Sequence, residues 1–176
     1  VVNSVVLEPF LLINTNENML AFANGQPIPH IINNIFVPTF GMVGGTGSTI
    51  SLLIAIFIFS RQQSAKQVAR LSLAPGLFNI NEPVIFGLPI VFNLPLMIPF
   101  VLLPAIGIYF AWLCTTLGLM SRCVVMIPWT TPPILSAWLA TAGDWRAVVV
   151  QLAIIVFGVF FYLPFLKIAE RVALKN

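Results

Sequence analysis

Between Arg70 and Arg122 the chain carries a single charged side chain, Glu82. Two stretches nearby, residues 94–119 and 147–166, carry no charge at all. Each is long enough to cross a bilayer core, which takes about 20 apolar residues in a helix. Backbone in hydrocarbon must satisfy its own N–H and C=O groups, so such stretches fold as helices. A carboxylate at that depth costs about 2.5–3.5 kcal/mol on insertion scales, and is kept in a wet or protein-lined cavity for a task. A loop at the membrane surface, with Glu82 simply solvated, is the other reading that local pattern leaves open.

Composition decides between membrane and soluble classes. The chain is 59% hydrophobic and 7% charged, against about 25% charged in soluble domains. Eight Lys and Arg with five Asp and Glu cannot cover a globule of 176 residues. The net charge of +3 is too small, and too tied to loops, for a nucleic-acid partner. The expected fold is an all-α polytopic membrane protein, with transmembrane helices, re-entrant hairpins and proline-broken helices in a lipid bilayer. No charged n-region and cleavage site follows Val1. Residues 1–176 are therefore expected to be the C-terminal part of a longer protein. Cys114 and Cys123 lack metal-ligand spacing and histidine partners, so they read as packing residues. Neither a metal nor a cofactor is expected.

The surroundings of Glu82 suit a break in a helix. Pro83 lacks an N–H, Gly76 and Gly87 permit unusual backbone geometry, and Asn79 and Asn81 bring amides. Polar groups gathered at such breaks are how transporters build sites near the midplane. Residues 1–40 are mixed, predicting short helices and a re-entrant or interfacial hairpin, with His30 as an interfacial hydrogen-bonding residue. Gly44-Gly45-Thr46-Gly47-Ser48-Thr49 lacks the lysine and preceding strand of a phosphate loop. Its small residues suit close helix approach, its amides suit a ligand, and residues 41–60 are about long enough to span. Pro95, Pro99 and Pro104 predict a kinked or non-helical start to the following span, regular from 105 to 119. In the proline-rich stretch 127–133, Trp129 beside Thr130 and Thr131 suits a sugar or an interfacial aromatic anchor, and both readings stay open.

Residues 61–70 hold Arg61, Lys66 and Arg70 without an acid, and residues 167–176 are net basic. The positive-inside rule puts both on the cytoplasmic face, which requires an even number of crossings between them.

With Asn81-Glu82-Pro83 inside residues 77–87, followed by Leu88-Pro89-Ile90-Val91-Phe92-Asn93, the chain resembles the enzyme IIC component of bacterial phosphotransferase systems for lactose, cellobiose and diacetylchitobiose. The glycine segment, the basic loop and Ile127-Pro128-Trp129-Thr130 stand in that family's order. The resemblance implies a homodimeric sugar transporter of the bacterial inner membrane, with a dimerising N-terminal half and a substrate half containing re-entrant hairpins. Residues 1–176 would be most of the substrate half. The disaccharide is passed inward and phosphorylated by a phosphocysteine on a cytoplasmic enzyme IIB, so the phosphoryl donor lies on a partner. Glu82 maps to the glutamate that contacts sugar hydroxyls, with a second role as base, and Trp129 maps to an aromatic that packs on the sugar. Asn81, Thr130 and Gly45 complete the expected substrate site. The family's hairpin histidine is not His30.

Two other classes compete. An ion-coupled secondary transporter also needs an intramembrane carboxylate and broken helices. An intramembrane enzyme with Glu82 as acid or base lacks a partner carboxylate, Ser/His pair or metal motif in the nearby sequence. On the topology, cysteines introduced at Ser64 and Asn176 are expected to resist a membrane-impermeant thiol reagent in intact cells and to react after permeabilisation. Labelling of one alone in intact cells would overturn the crossing count.

Overall fold

The computed structural model describes residues 6–173; Val1 and the Lys175–Asn176 end of the basic tail lie outside them. The α-helices run in the order α1 (Glu8–Ala23), α2 (Phe36–Gly41), α3 (Thr49–Phe59), α4 (Gln63–Leu77), α5 (Glu82–Gly87), α6 (Leu94–Thr116), α7 (Leu135–Ala140) and α8 (Trp145–Ala173). Among the described residues no strand forms. Among the described residues only α6 and α8, of 23 and 29 residues, are helices long and apolar enough to cross a membrane.

These two helices are the frame. Gly107 of α6 faces Ile154, and Leu103 faces Gly158 of α8, the order of an antiparallel pair. Along this pair lie two apolar clusters. One packs Leu52, Leu53 and Ile56 of α3 and Val84 of α5 against Leu103, Val159 and Tyr162. The other packs Phe36 and Phe40 of α2 and Ala137 of α7 against Ala111, Val150 and Ile154. Both cysteines are buried in or beside apolar packing, and burial pushes the Cys123 thiol up to about 12, which leaves it inert.

Two sequence expectations are narrowed or changed here. Helix α6 is helical from Leu94, with Pro99 and Pro104 inside it, which removes the non-helical alternative for its first half. Each proline removes one backbone hydrogen bond, and packed neighbours make that tolerable in a membrane helix. Residues 41–60 do not form one span: α3 is only 11 residues, because Gly44, Gly45 and Gly47 take φ of +78°, +97° and +82° and turn the chain. In the N-terminal region, where short helices were expected, the chain forms the 16-residue α1 and the six-residue α2; Phe10, Ile13 and Leu20 of α1 are exposed.

Buried polar groups are paired. The Tyr162 hydroxyl donates to the Gly47 carbonyl at 2.7 Å, and the Ser51 hydroxyl donates to Ile155 O at 3.1 Å, tying α3 and its loop to α8. Asn18 and Asn33 both donate to the Cys123 carbonyl, at 3.1 and 2.9 Å, holding α1 against the segment after α6. The His30 N–H donates to Asn18 Oδ1 at 2.9 Å, and its ring meets Glu17, so it is a hydrogen-bonding residue as expected.

The two basic segments come to one end of the bundle, where Ser60 and the Arg61 N–H donate to Glu170 near the end of α8. At the other end Asp144 accepts from the Ser121 N–H at 2.7 Å and the Arg146 N–H at 2.9 Å. Burial works to raise the Asp144 carboxyl, but these hydrogen bonds and the Arg146 charge outweigh it and hold the group below its ordinary value.

Gly107 lies where α2 crosses α6. A Cβ there would sit 2.6 Å from the Phe40 carbonyl oxygen, a backbone atom with little freedom to move. Gly107→Ala is expected to destabilise the protein by about 1–3 kcal/mol, the range for overpacking. Thermal unfolding in detergent checks it, and an unchanged melting temperature would contradict the crossing.

Candidate functional site

The site is built on the turn between α4 and α5. Pro75 and Gly76 close the end of α4, and Asn79 reverses the chain at φ +63°, a left-handed conformation that asparagine tolerates better than most residues. Its amide then joins three segments. Nδ2 donates to the carbonyls of Trp129, at 2.6 Å, and Thr131, at 3.0 Å, while Oδ1 accepts from the Gly44 N–H at 2.9 Å.

Asn81 makes a parallel link. Its side chain is buried and donates to the Thr46 carbonyl at 2.6 Å, while its own carbonyl starts α5 by accepting from Val84 and Ile85 N–H groups. Gly45 supplies the room. A Cβ on it would lie 2.7 Å from Asn81 Cγ, and its N–H is bonded to Met42 O at 2.9 Å. Gly45 thus serves the docking of the hairpin tip, and its amide is spent inside the protein.

Beside this junction is a cavity of about 390 Å³, within the usual size range of small-molecule sites. Its aromatic and polar lining includes Trp129, Asn34, Asn79, Thr131, Gln151 and Glu8. Trp129 is 65% exposed, so its ring is available as an apolar face. The 128–131 turn that presents it is closed by the Thr131 N–H and hydroxyl, which both donate to Pro128 O.

The far wall rests on Gln151, an amide buried inside the long apolar helix α8. Its Nε2 donates to Thr39 O at 2.7 Å and to the Ser136 hydroxyl at 3.0 Å. Its Oε1 accepts from the Ile134 N–H at 2.5 Å. Ile134 has φ +74°, a strained conformation for a β-branched residue, and the Gln151 bond helps to hold it.

The expected site residues therefore separate. Trp129 lines the cavity, and Asn81 and Gly45 lock the loops that frame it. Thr130 is half-buried in the 128–131 turn and does not line the cavity; Thr131 does. Glu82 is exposed in the first turn of α5, outside the cavity lining. Asn79, Gln151 and Glu8 were not expected in the site. For Gln151 the signal was available, since it is the one amide between Arg146 and Lys167.

The family model for the phosphotransferase system EIIC matches residues 1–104, more than half of the chain. The chain belongs to the phosphotransferase system EIIC family. It is 43% identical to the cellobiose-specific EIIC component of Lactococcus lactis subsp. lactis over 81% of this chain and 30% of that protein. It is 38% identical to the oligo-beta-mannoside-specific EIIC component of Bacillus subtilis over 100% of this chain and 40% of that one. The crystal structure of ChbC, the IIC component of the N,N'-diacetylchitobiose-specific system, superposes with a TM-score of 0.92 at 37% identity, over 97% of this chain and 39% of that chain. This chain thus spans well under half the length of these relatives.

Asn79→Ala is expected to free the 128–131 turn from the hairpin tip. The loss is about 1–3 kcal/mol, because the Gly44 N–H and two carbonyls lose their partner. A lower melting temperature together with faster proteolysis at residues 126–133 checks it, and an unaltered cleavage pattern would contradict the role.

Proposed function

We propose that this chain is the substrate-holding part of a sugar permease of a phosphoenolpyruvate-dependent phosphotransferase system, passing a β-linked disaccharide across the bacterial inner membrane. Family membership supports the transport reading and does not favour an ion-coupled carrier. The observation that carries the site is the cavity beside the hairpin tip, with an exposed indole over polar groups. An indole face packs on the C–H groups of a sugar ring, while hydroxyls, amides and carboxylates meet its OH groups. Relatives whose names mention cellobiose, oligo-beta-mannoside and N,N'-diacetylchitobiose support the β-linked class.

In this reading α4 and α5 form a re-entrant hairpin. At 15 and 6 residues, neither is long enough to cross a bilayer. The break at Pro89–Asn93 precedes the true span α6. The basic end holding Arg61, Lys66, Arg70 and Lys167 faces the cytoplasm, where a phosphorylated enzyme IIB docks, and a homodimer forms through parts of the protein beyond this chain.

Glu82 meets the sugar at the hairpin tip, three residues from the Asn79 that anchors the cavity. As a carboxylate it accepts hydrogen bonds from two hydroxyls, each about twice as strong as a neutral one. Its second role is as base. The sugar oxygen attacks the phosphorus of the partner's phosphocysteine, an O–P bond forms, the S–P bond breaks with its electron pair on sulfur, and Glu82 takes the hydroxyl proton. Phosphoryl transfer depends chiefly on positioning and charge stabilisation, so binding ranks first.

The test uses the full-length protein in membranes with its soluble partners. Uptake is expected to require phosphoenolpyruvate and to survive collapse of sodium and proton gradients; the reverse would return the ion-coupled reading. Glu82→Gln is expected to express normally and to lose about 1.5–3 kcal/mol of sugar affinity, the range for a hydrogen bond to a charged group. Parent-like binding and transport would make Glu82 a solvated loop residue. Normal binding with phosphorylation abolished would put the base role first.

A further inference from the structure

Several of the polar side chains around the cavity have already committed their hydrogens to the protein, while Asn34 and Ser136 also line it. An amide has two N–H donors, and Asn79 gives both to the Trp129 and Thr131 carbonyls. Gln151 gives both to Thr39 O and the Ser136 hydroxyl, and its oxygen accepts from Ile134. The Thr131 hydroxyl donates to Pro128 O. These residues shape the cavity, and their remaining capacity for a ligand is small.

Glu8 is different. Among the described residues it is the one ionisable side chain in the lining, and no Lys or Arg shares that lining with it. It is half-buried in the first turn of α1, immediately before Pro9. A carboxylate offers four lone-pair sites and no donor, which complements a ligand made of hydroxyl donors. Its charge lies in a partly desolvated space with no Lys or Arg among the described lining residues to offset it, where an anionic ligand is repelled.

The geometry points to Glu8 as a specificity-determining residue: its carboxylate accepts the hydroxyls of a neutral disaccharide in the Trp129 cavity and excludes sugars that carry a phosphate or carboxylate. This rests on the assignment of the cavity to sugar made above. Bound to the neutral substrate, Glu8 adds charge-assisted hydrogen bonds that the spent amides cannot supply. Once the sugar has been phosphorylated, the same carboxylate opposes its return to the cavity. Glu82, exposed outside the lining, is a separate carboxylate with a separate task.

The experiment is calorimetric titration of the full-length protein in detergent. The probes are whichever of cellobiose, mannobiose and N,N'-diacetylchitobiose the parent binds tightest, and the 6-phosphate of that sugar. The parent is expected to bind the neutral sugar and to discriminate against the phosphate. Glu8→Gln should weaken the neutral sugar about ten- to a hundredfold, the effect of removing a hydrogen bond to a charged group. It should also shrink the preference for neutral over phosphorylated sugar by about tenfold or more. Glu8→Asp keeps the charge and should keep that preference. Parent-like affinity and preference in Glu8→Gln, with its melting temperature unchanged, overturns the proposal, as does loss of the preference in Glu8→Asp. Trp129→Ala separates the two levels. If it abolishes binding while Glu8→Gln changes nothing, the cavity holds the sugar and Glu8 does not select it. If Trp129→Ala and Glu8→Gln both bind as the parent does, or if the parent binds none of the three sugars, the cavity assignment itself has failed.

Discussion

The Asn79 amide is the contact on which the rest of the site depends. Three segments far apart in sequence end in turns whose backbone groups would otherwise face one another unpaired: the glycine loop, the α4–α5 tip and the 128–131 turn. One side chain with two donors and an acceptor satisfies one group in the first and two in the third. Asn81 adds a second bond from the tip to the loop. Buried irregular backbone is tolerated only where its polar groups find partners, and this junction supplies them. The price of irregularity is also visible in the glycines, because Gly45 has no space for a side chain against Asn81.

The antiparallel pair α6 and α8 makes this arrangement stable enough to be specific. Its glycines let neighbouring elements approach until van der Waals contact is made with backbone, as Gly107 does with Phe40. The α8 side chains Gln151 and Tyr162 donate to Thr39 O and Gly47 O, and Ser51 of α3 donates to Ile155 O of α8, so these polar groups are satisfied inside the protein. Helix association in a bilayer lacks the hydrophobic drive available in water, so packing and such bonds carry the load. The frame is thus continuous with the site: Gln151 belongs to a spanning helix and also forms a cavity wall.

Charge is used sparingly. Arg61 meets Glu170 at one end of the bundle, Asp144 accepts from the Ser121 and Arg146 N–H groups at the other, and few ionisable groups lie between. Of the two carboxylates, Glu82 stands exposed at the start of a six-residue helix and Glu8 lines the cavity. Keeping them apart avoids the mutual repulsion of like charges in one small space.

By itself the sequence determined the membrane class, the helical fold, the two spans and the family, because these depend on long uncharged runs and local motifs. The Asn-Glu-Pro stretch stood out for the same reason: a carboxylate, a proline and two amides in an apolar run are a local signal, and the turn between α4 and α5 falls there. Trp129 was readable as one of two things, and its place in the cavity wall was decided by a bond from Asn79, fifty residues away. The roles of Asn79, Gln151 and Glu8 were not legible, because each depends on which distant backbone groups the packing of α6, α8 and α1 brings within hydrogen-bond reach. The same is true of the separation between Glu82 and the cavity. Positions along the chain were known, but that Glu8 of α1 lines the cavity while Glu82 of α5 does not was decided by how the elements pack, with Asn79 in a left-handed conformation at the turn before α5.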